Sequence, residues 1–465
     1  MVRGMSPVPW FFCALLTVPI LLSGCGQRAD RKPVLEDYNV LLIVIDTLGA
    51  NNVGCYNPEL SLTPHIDRLA EQGVRFAKSY AVAPWTQPSV ASILTGLMPS
   101  KHGLNQLGAE LDGKAAILAE LLKDRGYETG AVVSHRLVNA SFGFGRGYGY
   151  FDEEPIGGHK KISSQMVTDS ALQWLDGVGT NRFHLLLHYF DPHYVYCHHE
   201  QFDMTSGYEG PLEPAMNIWS LRNQRERLTE EDISYLVGLH REEIAYTDHH
   251  IGRLLEHLET LGVADKTLIV LTADHGEEFM EHGWLGHTRS LYNELIHVPV
   301  IFYLPGVFGE GIVSEMPVSQ IDVLPTLMDF SKRPVSEAWD GRSLLPILLG
   351  DKPGETDRDI FAEVSFVPRS KKDVADEKIT FLTTLVRGNL KAIYDEVDER
   401  WEVYDLAKDP GESNILALEG RAQVLADDLS AWKSARVTQP DQESGFQLIM
   451  TSDEEESLRS LGYIR

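Results

Sequence analysis

Residues 39–47 read NVLLIVIDT, a run of six apolar residues from Val40 to Ile45 that ends in Asp46 and Thr47. Continuous apolar sequence, without alternation, is typical of a parallel β-strand that is covered on both faces. Residues 267–276 read TLIVLTADHG and repeat the pattern, this time ending in Asp274 and His275. The chain between them carries helical spacings, so the sequence predicts an α/β fold built around one sheet.

Polar residues follow both buried strands at the point where each strand ends. Ligands of open α/β sheets bind at the carboxyl ends of the strands, so we expect Asp46, Asp274 and His275 to lie at one edge. Carboxylate oxygens and an imidazole nitrogen suit a divalent cation, and zinc, manganese, calcium and magnesium all remain open. Each motif alone is weak, because an Asp after a strand is often a helix cap. Their joint occurrence predicts a metal site.

A third stretch, residues 83–96, reads APWTQPSVASILTG. Pro88 suits the first position of a helix, and Gly96 stands where that helix would stop. Free backbone N–H groups at a helix start favour an anion, and Thr86 would place a hydroxyl beside it. A cation bound to the Thr86 oxygen would lower the pKa of the hydroxyl and make it a nucleophile toward a phosphate or sulfate ester. Taken alone, the stretch also fits an ordinary capped surface helix.

Composition limits the class of partner. The 465 residues contain 41 Lys and Arg against 68 Asp and Glu, which gives a formal net charge of -27. Such a charge repels nucleic acid, so we expect no nucleic-acid partner. An acidic protein that binds an anionic ester needs local positive charge, and a bound divalent metal ion supplies it. The length predicts one large and one small domain.

The N-terminus resembles a bacterial lipoprotein signal. An apolar run from Trp10 to Leu22 is short for a membrane span, and residues 22–25 read LSGC. The resemblance implies a signal peptide at residues 1–24, lipidation of Cys25 and a polar tether at residues 25–37. It places the protein in the bacterial cell envelope, anchored to a membrane and facing the periplasm or the outside. A plain secretory signal and an uncleaved anchor are the alternatives.

Two cysteines remain once Cys13 in the signal and Cys25 are set aside. Cys55 and Cys197 lack zinc or redox spacing, and they could pair in an oxidising compartment. We interpret them as structural. The segment Gly207–Glu230 is interpreted as a mobile insertion.

Six segments together resemble the sulfatase family of the alkaline phosphatase superfamily. The resemblance implies a three-layer α/β/α sandwich at residues 38–365 and a smaller C-terminal α+β subdomain with an antiparallel sheet at residues 366–465. It also implies that Asp46, Asp274 and His275 bind metal, and that Thr86 stands at the nucleophile position and shares that metal. The six segments are Asn39–Tyr56, Thr63–Phe76, Ala83–Gly103, Asp191–His193, Thr272–Gly283 and Leu291–Pro299.

The same resemblance implies roles for side chains around the ester. His193 and His287 fall where the family keeps groups that contact the ester or the leaving oxygen, so we expect both to be catalytic and to bind substrate. Arg289, two residues after His287, can add a contact to the anion. Asp191 is either a ligand of a second metal or a turn residue, and we favour the turn.

The chain departs from the usual sulfatase pattern. Most members carry Cys or Ser at the nucleophile position, oxidised to formylglycine, and an Arg four residues later. Here Thr86 and Val90 occupy those positions, and Ser134 and Arg136 stand where the family has Lys and His. Threonine is not a substrate for that oxidation. The usual sulfatase machinery is therefore largely absent.

Three functions fit these residues. The favoured one is a metal-dependent hydrolase of sulfate or phosphate and phosphonate esters, acting on a small-molecule, glycan or lipid ester, with Thr86 as direct nucleophile. Superfamily phosphodiesterases, phosphonate hydrolases and phosphoethanolamine transferases use such a threonine, so a phosphoethanolamine-type transferase is one alternative. The other is a non-catalytic, surface-anchored binding module for sulfated or phosphorylated ligands.

Overall fold

The computed structural model describes Met1 and residues 33–436, apart from residues 108, 112, 157–161, 352–356 and 367–379. The predicted signal peptide, the lipidation site Cys25 and most of the tether lie outside the described residues. Every element below belongs to the compact unit that begins at Val34.

Strands and helices alternate through the first three quarters of the chain. The strands are β1 (Asn39–Ile45), β2 (Val74–Phe76), β3 (Ser79–Tyr80), β4 (Glu128–Val133), β5 (Tyr150–Asp152), β6 (Phe183–Tyr189), β7 (Thr267–Ala273), β8 (Glu278–Phe279), β9 (Leu285–Gly286), β10 (Val300–Tyr303), β11 (Ile312–Ser314), β12 (Val318–Ser319), β13 (Asp359–Phe366), β14 (Thr380–Arg387), β15 (Leu390–Asp395) and β16 (Arg400–Asp405). The helices are α1 (Pro64–Gln72), α2 (Thr86–Thr95), α3 (Pro99–His102), α4 (Leu118–Lys123), α5 (Ser164–Val178), α6 (Ile218–Gln224), α7 (Glu230–Thr260), α8 (Asn293–Ile296), α9 (Val323–Phe330), α10 (Leu345–Leu348) and α11 (Gly420–Arg436).

Eight strands form the central sheet in the order β11-β2-β10-β7-β1-β6-β4-β5. At its centre β1 lies between β6 and β7 and runs parallel to both. The strand β10 is antiparallel to β7 and β2, so the sheet is mixed toward that side. The parallel centre brings the carboxyl ends of β1, β6 and β7 to one edge.

Alternate side chains of β1 enter two separate apolar cores. Leu41 and Ile43 pack in one core with residues of α1, α5 and α7. Val40 and Leu42 pack in the other with residues of α2, α4 and α9. Because successive side chains of a strand point to opposite faces, a strand buried on both faces must be apolar throughout. The α/β/α sandwich expected from the sequence is confirmed.

A smaller antiparallel sheet follows in the order β13-β14-β15-β16. Helix α11 covers one face of it through Leu425 and Leu429, which pack on Leu385 and Val403. The other face joins the first core of the large domain. The expected C-terminal antiparallel sheet is confirmed, and its first strand already begins at Asp359.

The segment Gly207–Glu230 is not the loose insertion expected from the sequence. It contains α6, and Ile218 and Leu221 pack in a core with Tyr194 and Leu236. Apolar residues at helical spacing give the segment a buried face, which fixes it against α7.

Two further findings concern the cysteines and the membrane. Cys55 and Cys197 are both free thiols, so the pairing that the sequence left open is not formed. In the part of the chain that the structure describes, no helix is both long and apolar enough to cross a membrane.

Candidate active site

The register of the central strands explains why three predicted ligands meet. Ile45 of β1 pairs with Ala273 of β7, so the residues that follow, Asp46 and Asp274, leave the sheet side by side. The Thr47 N–H donates to Asp274 Oδ1 at 3.2 Å. Ligand atoms of Asp46, Asp274 and His275 all lie within 4.8 Å of one another, and all three side chains are completely buried.

The chain bends sharply on both sides of this cluster. Thr47 has φ 52°, in the left-handed region that β-branched residues rarely adopt. On the other side, a Cβ at Gly276 would collide with the carbonyl oxygen of Glu294. Only glycine allows that close approach. The Asp-His-Gly motif therefore needs its glycine for packing.

Helix α2 brings Thr86 to the cluster. The helix begins at Thr86 itself, so Pro88 is its third residue and not its first, as the sequence analysis expected. Gly96 ends the helix with φ 69°, as expected. Thr86 is completely buried, and its Oγ1 lies 3.3 Å from His275 Nε2. The hydroxyl thus faces the predicted ligands from the positive end of a helix.

The donor set fits a divalent cation. Both carboxylate oxygens of Asp46 and Oδ2 of Asp274 are buried with no hydrogen-bond partner among the described residues. Buried polar atoms are normally paired, so these three oxygens require a ligand. His275 Nδ1 lies 2.8 Å from the Gly276 carbonyl oxygen, which can only accept. Nδ1 therefore carries the hydrogen, and Nε2 presents its lone pair to the carboxylates.

Burial also sets the charges of these groups. Burial, followed by the negative charges of Asp274 and Glu277, raises the pKa of Asp46 well above its ordinary value. Burial acts to raise the pKa of Asp274 too, but His275 and His188 beside it bring the net pKa below the ordinary value. Burial lowers the pKa of His275 to about 4, which keeps the imidazole neutral. A bound cation would favour the ionised form of Asp46 and so oppose this rise in its pKa.

His287 lies against the cluster, and Glu277 holds it there. Its ring centre is 4.4 Å from that of His275, and its Nδ1 is 2.8 Å from Glu277 Oε1. Burial raises the pKa of Glu277 to about 8, and burial with the nearby Arg222 charge lowers the pKa of His287 to about 3. Near neutral pH Glu277 is therefore protonated and donates to Nδ1, which leaves the imidazole hydrogen on Nε2.

His193 completes the group of predicted catalytic residues. Its ring centre lies 4.9 Å from that of His287, and the side chain is 1% exposed. Its Nδ1 lies 2.6 Å from the Tyr194 carbonyl oxygen, which fixes the hydrogen on Nδ1. Asp191 instead accepts from the backbone N–H groups of Ser163 and Ser164. It caps the start of α5, consistent with the turn role that we favoured.

Arg289 stands apart from these histidines. Its guanidinium lies 4.1 Å from the centre of the Trp284 ring. With Tyr292, Arg400 and Glu402 it lines a cavity of ≈ 130 Å³ between the loop after His287 and the C-terminal sheet. Its role as an anion contact stays a prediction.

Four residues at the site were not expected from the sequence: His135, His188, Arg222 and Glu277. His135 Nε2 and His188 Nε2 lie 3.9 and 4.0 Å from Asp46 Oδ2. Arg222 is buried on α6, its Nε donates to the Leu285 carbonyl oxygen, and its charge acts on His287. His188 could have been predicted from the sequence, because it stands near the carboxyl end of a buried strand. The same applies to His135, two residues past the end of the parallel strand β4. Glu277 lies on a loop and Arg222 on α6, where no pattern marks them.

Comparison with known proteins identifies the family of the chain. The family model described as Sulfatase matches residues 38–332, and the one described as N-sulphoglucosamine sulphohydrolase, C-terminal, matches residues 280–436. The N-acetylglucosamine-6-O-sulfatase of Bacteroides thetaiotaomicron is 25% identical over 481 residues, covering 84% of each chain. The steryl-sulfatase of Rattus norvegicus is 29% identical over 420 residues, covering 70% of this chain and 72% of its own.

Solved structures show the same fold. The phosphonate monoester hydrolase of Agrobacterium radiobacter superposes with a TM-score of 0.71 at 21% identity, over 86% of this chain and 96% of its own. A 2-O GAG sulfatase superposes with a TM-score of 0.70 at 21% identity, over 86% of this chain and 92% of its own. The fold is thus the α/β/α sandwich of sulfatases and phosphonate monoester hydrolases. The chain belongs to the sulfatase family of ester hydrolases.

Proposed function

We propose that this protein is a metal-dependent hydrolase of sulfate or phosphate and phosphonate esters in which Thr86 is the direct nucleophile. The observation that carries the proposal is the Thr86 hydroxyl, 3.3 Å from His275 Nε2 and at the first residue of a helix. Relatives named as sulfatases and a structural neighbour named as a phosphonate monoester hydrolase support both ester classes.

The chain's own residues and the solvent account for each proton and bond. The Thr86 hydroxyl gives its proton to solvent as its Oγ1 attacks the sulfur or phosphorus atom, and the bond to the leaving oxygen breaks as the covalent bond to Thr86 forms. The leaving oxygen takes the Nε2 hydrogen of His287 while the protonated Glu277 carboxyl passes its proton to His287 Nδ1, or it takes a proton from the imidazolium form of His193. Water then attacks the same atom and releases the Thr86 oxygen. One proton of that water restores Glu277 or His193, and Thr86 takes up a proton from solvent. The backbone N–H groups at the start of α2 stabilise the anion throughout.

A divalent cation fits the unpartnered oxygens of Asp46 and Asp274 together with His275 Nε2. When bound, it lowers the pKa of the Thr86 hydroxyl and neutralises charge on the ester oxygens. The site residues are at most 1% exposed, so these interactions act in a medium of low dielectric constant.

The test is hydrolysis by the purified protein of matched aryl sulfate, phosphate monoester, phosphodiester and phosphonate ester substrates, with zinc, manganese, calcium or magnesium. Thr86→Ala should abolish turnover, whereas Thr86→Ser should retain part of it because the hydroxyl remains. Mass spectrometry of a quenched reaction should find the sulfuryl or phosphoryl group on the peptide that contains Thr86. Full activity of Thr86→Ala would refute the nucleophile assignment.

Inactivity on every substrate with every metal would instead favour one of the alternatives. A phosphoethanolamine-type transferase needs a donor that the panel lacks, and a binding module needs no turnover. Direct binding of a sulfated or phosphorylated glycan without turnover would select the binding module.

We also propose that Cys25 is lipidated and anchors the protein in the bacterial cell envelope, as the LSGC sequence of residues 22–25 indicates. Membrane-associated protein should then begin at a modified Cys25 in mass spectrometry. An unmodified Cys25 with an intact segment before it would refute this anchor.

A further inference from the structure

His188 is a completely buried imidazole beside the predicted metal ligands. It is the last but one residue of β6, the strand adjacent to β1. Its Nε2 lies 3.8 Å from Asp274 Oδ2 and 4.0 Å from Asp46 Oδ2. Neither ring nitrogen has a hydrogen-bond partner among the described residues. His240 shares this feature, so what distinguishes His188 is the pair of carboxylates that its Nε2 faces.

A second histidine of β6, His184, serves as a comparison, because its ring nitrogens have hydrogen-bond partners. His184 lies four residues earlier, on the same face of β6, and is also completely buried. Its Nδ1 is 3.3 Å from the Val40 carbonyl oxygen, and its Nε2 is 3.5 Å from the Tyr148 hydroxyl. His184 thus has partners for both nitrogens at the amino end of the strand. His188 faces carboxylates at the carboxyl end.

Two imidazoles face the same carboxylate oxygen. Asp274 Oδ2 lies 3.7 Å from His275 Nε2 and 3.8 Å from His188 Nε2, and no described residue forms a hydrogen bond with it. These separations are too long for hydrogen bonds. Ligand atoms that share one cation, each about 2.0–2.2 Å from it, stand roughly 3–4 Å apart. Each imidazole thus lies at ligand spacing from Asp274 Oδ2 and from one oxygen of Asp46, next to the cluster within 4.8 Å that Asp46, Asp274 and His275 form.

We propose that His188 is a further ligand of the cation held by Asp46, Asp274 and His275. The inference rests on the metal dependence of the proposed function, and it specifies the kind of metal. The centre then has two imidazole nitrogens beside two carboxylates. Nitrogen ligands favour zinc and the later transition metals, whereas calcium, magnesium and manganese are better suited by oxygen ligands.

The first test counts imidazole nitrogens on the bound metal. The chain is stripped with a chelator, loaded with Mn²⁺ and measured by pulsed EPR with ¹⁴N- and ¹⁵N-labelled histidine. We expect two coordinated imidazoles in the wild type, one in His188→Gln and two in the matched control His184→Gln. A single imidazole in the wild type would overturn the proposal. This count needs no variant, so it decides the question even if His188→Gln fails to fold.

The second test compares metals by titration calorimetry. His188→Gln should weaken zinc binding by about 100-fold or more, because loss of an outer-sphere partner alone costs about 10–100-fold. Calcium binding should change less than tenfold, and His184→Gln should change neither. If His188→Gln lost affinity for zinc and calcium equally, or lost none, His188 would not be a ligand. Failure of the wild type to bind any cation would refute the metal dependence as well, whereas binding through one imidazole would refute only the His188 inference.

Discussion

Asp46→Asn should change stability in opposite directions with and without a divalent cation. Both oxygens of the Asp46 carboxylate are buried with no hydrogen-bond partner in the part of the chain that the structure describes, and a ligand atom of Asp274 lies within 4.8 Å. Without a cation, the second carboxylate is a source of repulsion. With a cation, the same carboxylate is a ligand.

The size of each effect follows from these distances. Two unit charges 4.8 Å apart repel by about 3.5 kcal/mol at an effective dielectric constant of 20. Protonation of Asp46, whose pKa burial raises, relieves part of this, so we expect Asp46→Asn to stabilise the metal-free protein by about 1–3 kcal/mol at pH 8. A cation at a thousandfold excess over its Kd should stabilise the wild type by about 4 kcal/mol. The Asp46→Asn variant should gain little stability from the same cation.

The measurement is urea denaturation at pH 8, in chelator and in excess zinc or manganese. Asp248→Asn is the matched control, because Asp248 is a buried carboxylate that accepts from the backbone N–H groups of His65 and Ile66. It should lower stability equally in both conditions. A variant Asp46→Asn that is less stable than the wild type in chelator, or that responds fully to the cation, would refute the reasoning.

Three further changes test other parts of the site. Metal-free wild type should lose up to about 5 kcal/mol as pH rises from about 4.5 to about 8, because burial raises the pKa of Glu277 to about 8 and the folded chain retains a proton that the unfolded chain releases. Glu277→Gln should flatten that part of the pH profile in urea denaturation. Gly276→Ala should cost about 1–3 kcal/mol in the same assay, because its Cβ meets the Glu294 carbonyl oxygen. Lys391→Met should cost about 3–5 kcal/mol and expose the C-terminal sheet to proteolysis, because it leaves Glu412 buried without its cation.

Each of these has a result that would contradict it. An unchanged pH profile in Glu277→Gln would show that another group titrates in this range. If Gly276→Ala were as stable as the wild type, the backbone around Glu294 would have to move aside at little cost in free energy. Adding Glu412→Leu to Lys391→Met should restore most of the lost stability, and failure to do so would rule out the buried charge as the cause.

The start of α2 shows a limit of sequence signals. Pro88 predicted the helix, but the helix begins two residues earlier, at Thr86. Proline lacks an N–H group, and every residue of the first helical turn has an N–H group without a partner inside the helix. A proline therefore marks the first turn without fixing which residue begins it.

The sequence by itself predicted the central strands, an α/β fold and the meeting of Asp46, Asp274 and His275 at one edge, whereas the three-layer sandwich and the role of Thr86 were implied by the resemblance to the sulfatase family. The predicted features follow from local patterns: an apolar run long enough for a strand, and polar residues where it ends. The alternation of side chains between two cores makes such runs obligatory, so they can be read without a structure.

Only the tertiary structure decided which other side chains reach the site. His184 and His188 lie on the same face of β6, yet only His188 is near the carboxylates. The pairing of β6 with β1 places the carboxyl end of β6, where His188 lies, beside Asp46. Glu277 and Arg222 reach His287 from a loop and from a helix that packing holds in place. These contacts join residues far apart in the chain, and no local pattern encodes such distances.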